Sequence, residues 1–145
     1  MNSPVVGNVR GLAGLADQNT VVLTSYRRNG AEIDTPVHIV VEGDHAFIRT
    51  YAATGKAKRL RRNPEVVLWR TTIGTRNAIL ATTNPKAAER IGPGIPARAR
   101  FLSGSRYRDA ARALRRKFPL AHGLLIPLTH RLLRTETINL ELTER

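Results

Sequence analysis

Thr54, Gly55, Lys56, Lys58 and Arg59 stand almost side by side in the stretch Arg49-Thr50-Tyr51-Ala52-Ala53-Thr54-Gly55-Lys56-Ala57-Lys58-Arg59-Leu60-Arg61-Arg62-Asn63-Pro64. Together they have the chemistry of an anion seat. A glycine lets the backbone come close to a bound group. The first N–H groups of a helix lack intrahelical acceptors and carry the positive end of its dipole. Lys and Arg add full charges, so a phosphate placed there meets donors and cations at once. A cationic helix face bathed in solvent has the same composition. Position separates the two readings. Residues 55–56 open the helix, where an anion gains most, whereas Arg61 and Arg62 lie a turn or more further on and face solvent.

Other reactive side chains are scattered. There is no cysteine, hence no disulfide framework, thiolate metal site or Cys nucleophile. His45 sits at a turn, His122 and His130 lie in helical segments without a carboxylate partner at metal spacing, and no zinc pattern exists, so no metal is expected. No Ser–His–Asp order or carboxylate pair stands out, and no catalytic residue is assigned. Chemistry carried by a bound cofactor needs neither, because the cofactor holds the reactive atom and the protein positions it. Pro36 cannot donate to a strand ladder, so it marks an edge, a bulge or a ligand-facing position. His38 shares its face with Val40 and Pro36, and a lone histidine there is more often structural than catalytic. Trp69 and Phe101 belong in the core or at a dimer interface.

The elements that must position these residues follow from pattern. Residues 4–17 carry Val5, Val9, Leu12 and Leu15 at helical spacing behind a Ser3-Pro4 start. Thr20–Tyr26, Glu32–Glu42 and His45–Tyr51 read as a three-stranded meander, with Asn29-Gly30 as the first tight turn. Phe47 lies on one face of the third strand, Ala46 and Ile48 on the other. A short cationic helix over 55–62 ends at Asn63-Pro64. Glu65–Thr72 and Ala97–Leu102 are further strands. The stripe Tyr107, Ala110, Ala111, Leu114 and Phe118 predicts a helix over 106–118. A second helical piece covers Leu124–Leu133, and Thr137–Leu142 is the last strand. Within 73–96, Asn84-Pro85 caps a helical turn through Lys86–Arg90, and Gly92-Pro93-Gly94 is loop chemistry. Six short strands with helices in their connections suggest a small antiparallel barrel.

The 145 residues are sized for one domain, and 41% hydrophobic content is that of a globular chain. No apolar run approaches the ~20 residues that span a membrane, and the first residues make a poor signal peptide. A cytoplasmic protein without a membrane partner is expected. The net charge of +13 draws polyanions from solution, either nucleic acid or an anionic cofactor. Exposed bases need aromatic platforms. With only one Trp, three Tyr and three Phe, most of them core, a single-strand reader is disfavoured. Weak phosphate-backbone binding stays open.

The meander followed by Thr-Gly-Lys-x-Lys-x-Leu-x-x-Asn-Pro resembles the flavin- and deazaflavin-binding split β-barrel superfamily, which includes the pyridoxamine 5′-phosphate oxidase-like proteins. The subfamily using the deazaflavin coenzyme F-420 is most similar. The similar segments are Leu23–Gly30, Asp34-Thr35-Pro36-Val37, Ile48-Arg49-Thr50 and Thr54–Pro64, with weaker likeness at Pro96–Arg100 and Leu125–Leu128. The resemblance implies a mainly β fold with helices: a six-stranded antiparallel split β-barrel of the FMN-binding type. It would form a single cofactor-binding domain over 1–145, with 73–96 an inserted loop or lid. It implies an oxidoreductase that uses F-420 for hydride transfer to or from a small organic substrate. An FMN-binding oxidase or reductase is the alternative on the same fold, and a non-enzymatic nucleic-acid binder is the third reading. By the same likeness, Thr54, Gly55, Lys56 and Lys58 bind the cofactor's phosphate, joined by Arg49, Thr50 and Arg59. Thr35, Pro36 and Val37 lie along the tricyclic ring. The resemblance further implies a homodimer with its sites at the interface. His38 stands where similar proteins often carry a larger aromatic residue.

Overall fold

The computed structural model describes residues 11–51, 54–72, 89–118 and 137–145. A short 3-10 helix, Gly11–Leu15, places Leu12 and Leu15 in the core. Then come β1 (Thr20–Tyr26), β2 (Glu32–His38), β3 (Val40–Glu42), β4 (His45–Tyr51), α1 (Gly55–Arg62), β5 (Glu65–Arg70), β6 (Ile91–Phe101), α2 (Gly104–Lys117) and β7 (Thr137–Glu144). The strands form one antiparallel sheet in the order β2-β1-β5-β6-β7-β4-β3.

Among the described residues the sheet therefore has seven strands, not six. The expected second strand, Glu32–Glu42, is divided at Ile39 into two strands on opposite edges of the sheet. A single residue joins those edges, so the sheet must curl until they meet. Ile39 turns fully inward, and its N–H donates to the Asn19 carbonyl at 3.1 Å. Pro36 sits on β2, which pairs only with β1 among the described strands. An edge is where a residue without an N–H is tolerated.

Alternation along the strands sorts the side chains into two cores. Inside the curl, Val21, Leu23, Ile48, Leu68, Leu140 and Leu142 pack together, and Leu60 of α1 closes the same cluster. Outside, Phe47 meets Ala110, Ala113, Leu114 and Phe118 of α2. The expected division of Phe47 from Ala46 and Ile48 is observed. The hairpin after β1 closes through Gly30 at φ +86°, a conformation that favours glycine.

The start of β6 corrects another expectation. Gly92-Pro93-Gly94 lies within a strand that begins at Ile91, six residues before Ala97, and Arg70 pairs with Ile91 beyond a register shift in β5. A β-carbon on Gly94 would fall 2.6 Å from Val67 Cγ1 and 2.8 Å from Trp69 Cη2. The glycine thus marks close strand packing rather than a loop. The helix expected over Leu124–Leu133, residues 4–10 of the helix expected over 4–17 and 73–88 of the expected lid lie outside the described residues; in the described part of 4–17 only Gly11–Leu15 is helical, as a 3-10 turn.

Candidate functional site

α1 has the bounds expected from sequence. Ala57 and Leu60 face inward, and the remaining positions are polar or glycine. Thr54 caps it: its Oγ1 accepts from the Ala57 N–H at 3.2 Å and lies 3.3 Å from Thr50 Oγ1. That hydroxyl pair ties the end of β4 to the first turn of α1. The N–H groups of Gly55 and Lys56 are left by helix geometry without intrahelical acceptors.

Two cations crowd this turn. Side chains on a helix lean toward its N-terminus, and Arg59 does so. Its Nη1 would stand 3.1 Å from a β-carbon at Gly55, so the guanidinium lies over the glycine. The other end of that group is fixed, because Nε donates to the buried Ser25 hydroxyl at 2.7 Å. Burial first, then the charge of Arg59, pulls the Lys56 ammonium down to about 8. The residue keeps some exposed surface, so the cause is the crowd of protein atoms around the amine rather than a sealed chamber. Burial also lowers Arg59, with repulsion from Arg27 and Arg62 added. The lysine gives up its proton first, so their mutual repulsion falls on Lys56. Among the described residues no carboxylate pairs with either cation.

The other expected residues are distributed differently. Thr50 faces inward beside Thr54, whereas Arg49 points to the outer face. There Arg49 Nε donates to Asn139 Oδ1 at 3.0 Å, and Asn139 Nδ2 donates to the Tyr107 carbonyl at 3.0 Å. Thr35 and Val37 lie opposite Leu23 and Val21 and share their inward face, and Val37 is a core residue. Pro36, opposite Val22, faces outward and is buried. Lys58 is exposed. The structure thus joins Thr50, Thr54, Gly55, Lys56 and Arg59, and separates Arg49 and Pro36 from them by the thickness of the sheet.

Sequence reasoning missed Ser25 and the outer-face cluster beside Pro36. In that cluster Asp34 accepts from Thr24 Oγ1 at 2.6 Å and from Arg90 Nε at 2.8 Å. Trp69 Nε1 donates to Thr24 Oγ1 at 3.0 Å, and the Arg90 guanidinium lies 4.7 Å from the Trp69 ring centre. Burial would raise the Asp34 carboxyl, but the Arg90 and Thr24 hydrogen bonds win and hold it below the usual carboxylate range. His38 stacks on Phe118 at 4.6 Å, a packing role. Among the described residues no group of His, Cys, Asp and Glu is arranged to hold a metal ion, and no helix is long and apolar enough to cross a membrane.

No protein-family model matches the chain, and no curated protein does. Solved structures match along nearly its whole length. The heme storage protein HutZ from Vibrio cholerae is 14% identical, with a TM-score of 0.65 over 99% of this chain and 89% of that one. A putative pyridoxamine 5′-phosphate oxidase from Listeria innocua is 13% identical, at 0.58 over 97% and 94%. The fold is the split β-barrel. A third split-barrel neighbour is a putative 5-nitroimidazole antibiotic resistance protein from Bacteroides thetaiotaomicron, 9% identical, at 0.61 over 99% and 80%. At these identities the likeness establishes the fold alone. In this split barrel the crowded cations lie where the ends of β1 and β4 meet the start of α1.

Proposed function

We propose that the start of α1 seats the phosphate of coenzyme F-420, and that the protein is an oxidoreductase moving hydride to or from a small organic substrate. The observation that carries this reading is the crowding of Lys56 and Arg59 at one helix start with no described carboxylate to neutralise them. A bound phosphate anion favours the charged form of both. The residues fit such a group. The Gly55 and Lys56 N–H groups, the Lys56 amine and the Arg59 guanidinium are donors on one turn, and charge-assisted bonds are the strong ones. Ser25 holds Arg59 in place, and the Thr50–Thr54 pair fixes the loop. The edge of β2 at Thr35-Pro36-Val37 offers the ring backbone groups, since Val37 is a core residue and Pro36 faces the other side of the sheet. Exposed Lys58, on the same helix, adds charge around the approach, whereas Arg49, on the outer face, takes no part in the seat. When bound, the cofactor supplies the hydride-carrying ring carbon; the chain binds and orients it.

FMN is the second reading, favoured by the likeness to a putative pyridoxamine 5′-phosphate oxidase; its phosphate suits the same seat. A homodimer belongs to both readings and is checked by sedimentation. The functional test is one absorption spectrum and two titrations. Colourless protein that binds added F-420, with affinity falling as salt rises, supports the first reading. A flavin spectrum on purification moves the assignment to FMN. No fluorescence or heat change with either ligand at low salt overturns the site.

A further inference from the structure

Most described carboxylates are already committed to particular cations. Asp17 pairs with Arg70, Glu32 and Asp34 with Arg90, Glu65 with Arg145, and Glu141 with Arg100 and Arg106. The outer face of α2 is different. Arg108, Arg112, Arg115 and Arg116 are all exposed, and none has an ion-pair partner among the described residues. Their spacing of i, i+4, i+7 and i+8 gathers them into about 100° of arc and about 12 Å of helix. They lie opposite the buried Ala110, Ala113 and Leu114. Asp109, the one acid on this helix, turns back to Arg106 at 3.8 Å.

Like charges one turn apart weaken a helix. The dipole accounts for Arg115 and Arg116 in the last turn but not for Arg108 and Arg112 in its middle. We propose that this face docks double-stranded nucleic acid through its backbone phosphates, without reading sequence. The planar guanidinium fork matches phosphate geometry. A membrane-surface helix would need a free apolar side, whereas the apolar side of α2 is packed against Phe47. A single strand would need several exposed aromatic platforms; Phe47 and Phe118 against α2 are buried and Tyr107, the one ring on α2, is half-buried. A second copy would bring the same charge to the contact.

The proposal does not rest on the cofactor reading. It is tested by fluorescence anisotropy of a labelled 20-base-pair DNA duplex against the full chain, across a salt series without cofactor. Four phosphate contacts give a slope of log affinity on log salt of about −3 to −4. The triple variant Arg108→Gln/Arg112→Gln/Arg115→Gln should flatten the slope by about 2 to 3 and weaken binding more than tenfold at 0.1 M salt. A control of equal charge loss, Arg27→Gln/Arg28→Gln/Arg98→Gln, should change the slope by less than 1. Thermal melts of both variants confirm folding, and the wild-type slope is an independent reading. Absence of duplex binding at 50 mM salt overturns the proposal. Equal losses in the two triples also overturn it, since they mean diffuse charge. So does binding to vesicles of phosphatidylglycerol in place of the duplex.

Discussion

Replacing Lys56 by methionine should stabilise the protein while destroying the proposed anion seat. The ammonium stands at about 8 instead of 10.5, a difference worth about 3 kcal/mol at ~1.4 kcal/mol per unit. That is an upper bound, because the residue retains some exposure. The sign follows from proton counting. Between pH 8 and 10.5 the folded chain holds fewer protons here than the unfolded one, so stability rises with pH across that window. Below it, the full cost of the charged amine is present. Lys56→Met keeps the stem and removes the charge. At pH 7 its melting temperature should therefore exceed wild type by up to ~6–12 °C, given about 2–4 °C per kcal/mol for a chain of this size. The gap should close as pH approaches 10.5. Calorimetry at pH 7 and pH 10 measures it, and titration with F-420 or FMN provides the second readout. A variant that melts lower than wild type at pH 7, or that binds phosphate-bearing ligands as well as wild type, would refute the reasoning.

Cofactor affinity of the wild type should be flat below pH 8 and about tenfold weaker at pH 9 than at pH 7, because the bound phosphate selects protonated Lys56; Lys56→Met should lose that step. Arg59→Gln removes a repelling charge and should move the step above pH 8, read from the same titration. Thr54→Ala loses the cap and should cost about 1 kcal/mol in urea unfolding. Leu60→Ala opens the inner core beneath α1 and should cost about 2–5 kcal/mol by the same assay. Asp34 has a lowered carboxyl, so its contribution is complete above the unfolded value near ~3.9 and fades as pH falls through the folded one. Asp34→Asn should flatten stability against pH below 4, measured by melting at pH 2.5 to 5.

The parts legible in the sequence are those set by near neighbours along the chain. Asn29-Gly30 made a turn because glycine takes φ +86° there. α1 began at a threonine cap and stopped at Asn63-Pro64 because capping and the proline constraint are local. The stripe from Tyr107 to Phe118 gave α2 because burial repeats with the helical period. Local signals failed where distant segments decide. Glu32–Glu42 reads as one run, yet Ile39 is claimed by the core and the halves pair with β1 and β4 on opposite edges. Gly92-Pro93-Gly94 reads as loop, yet Trp69 and Val67 require a residue without a β-carbon for close strand packing. The site divides the same way. Thr54, Gly55 and Lys56 were visible because a helix start carries its own donors. Ser25, 34 residues before Arg59, became its partner only when β1 was laid against α1. Composition fixed how much positive charge the chain carries. Only the tertiary structure decided which cations meet carboxylates, and which are left, as at Lys56, without one among the described residues.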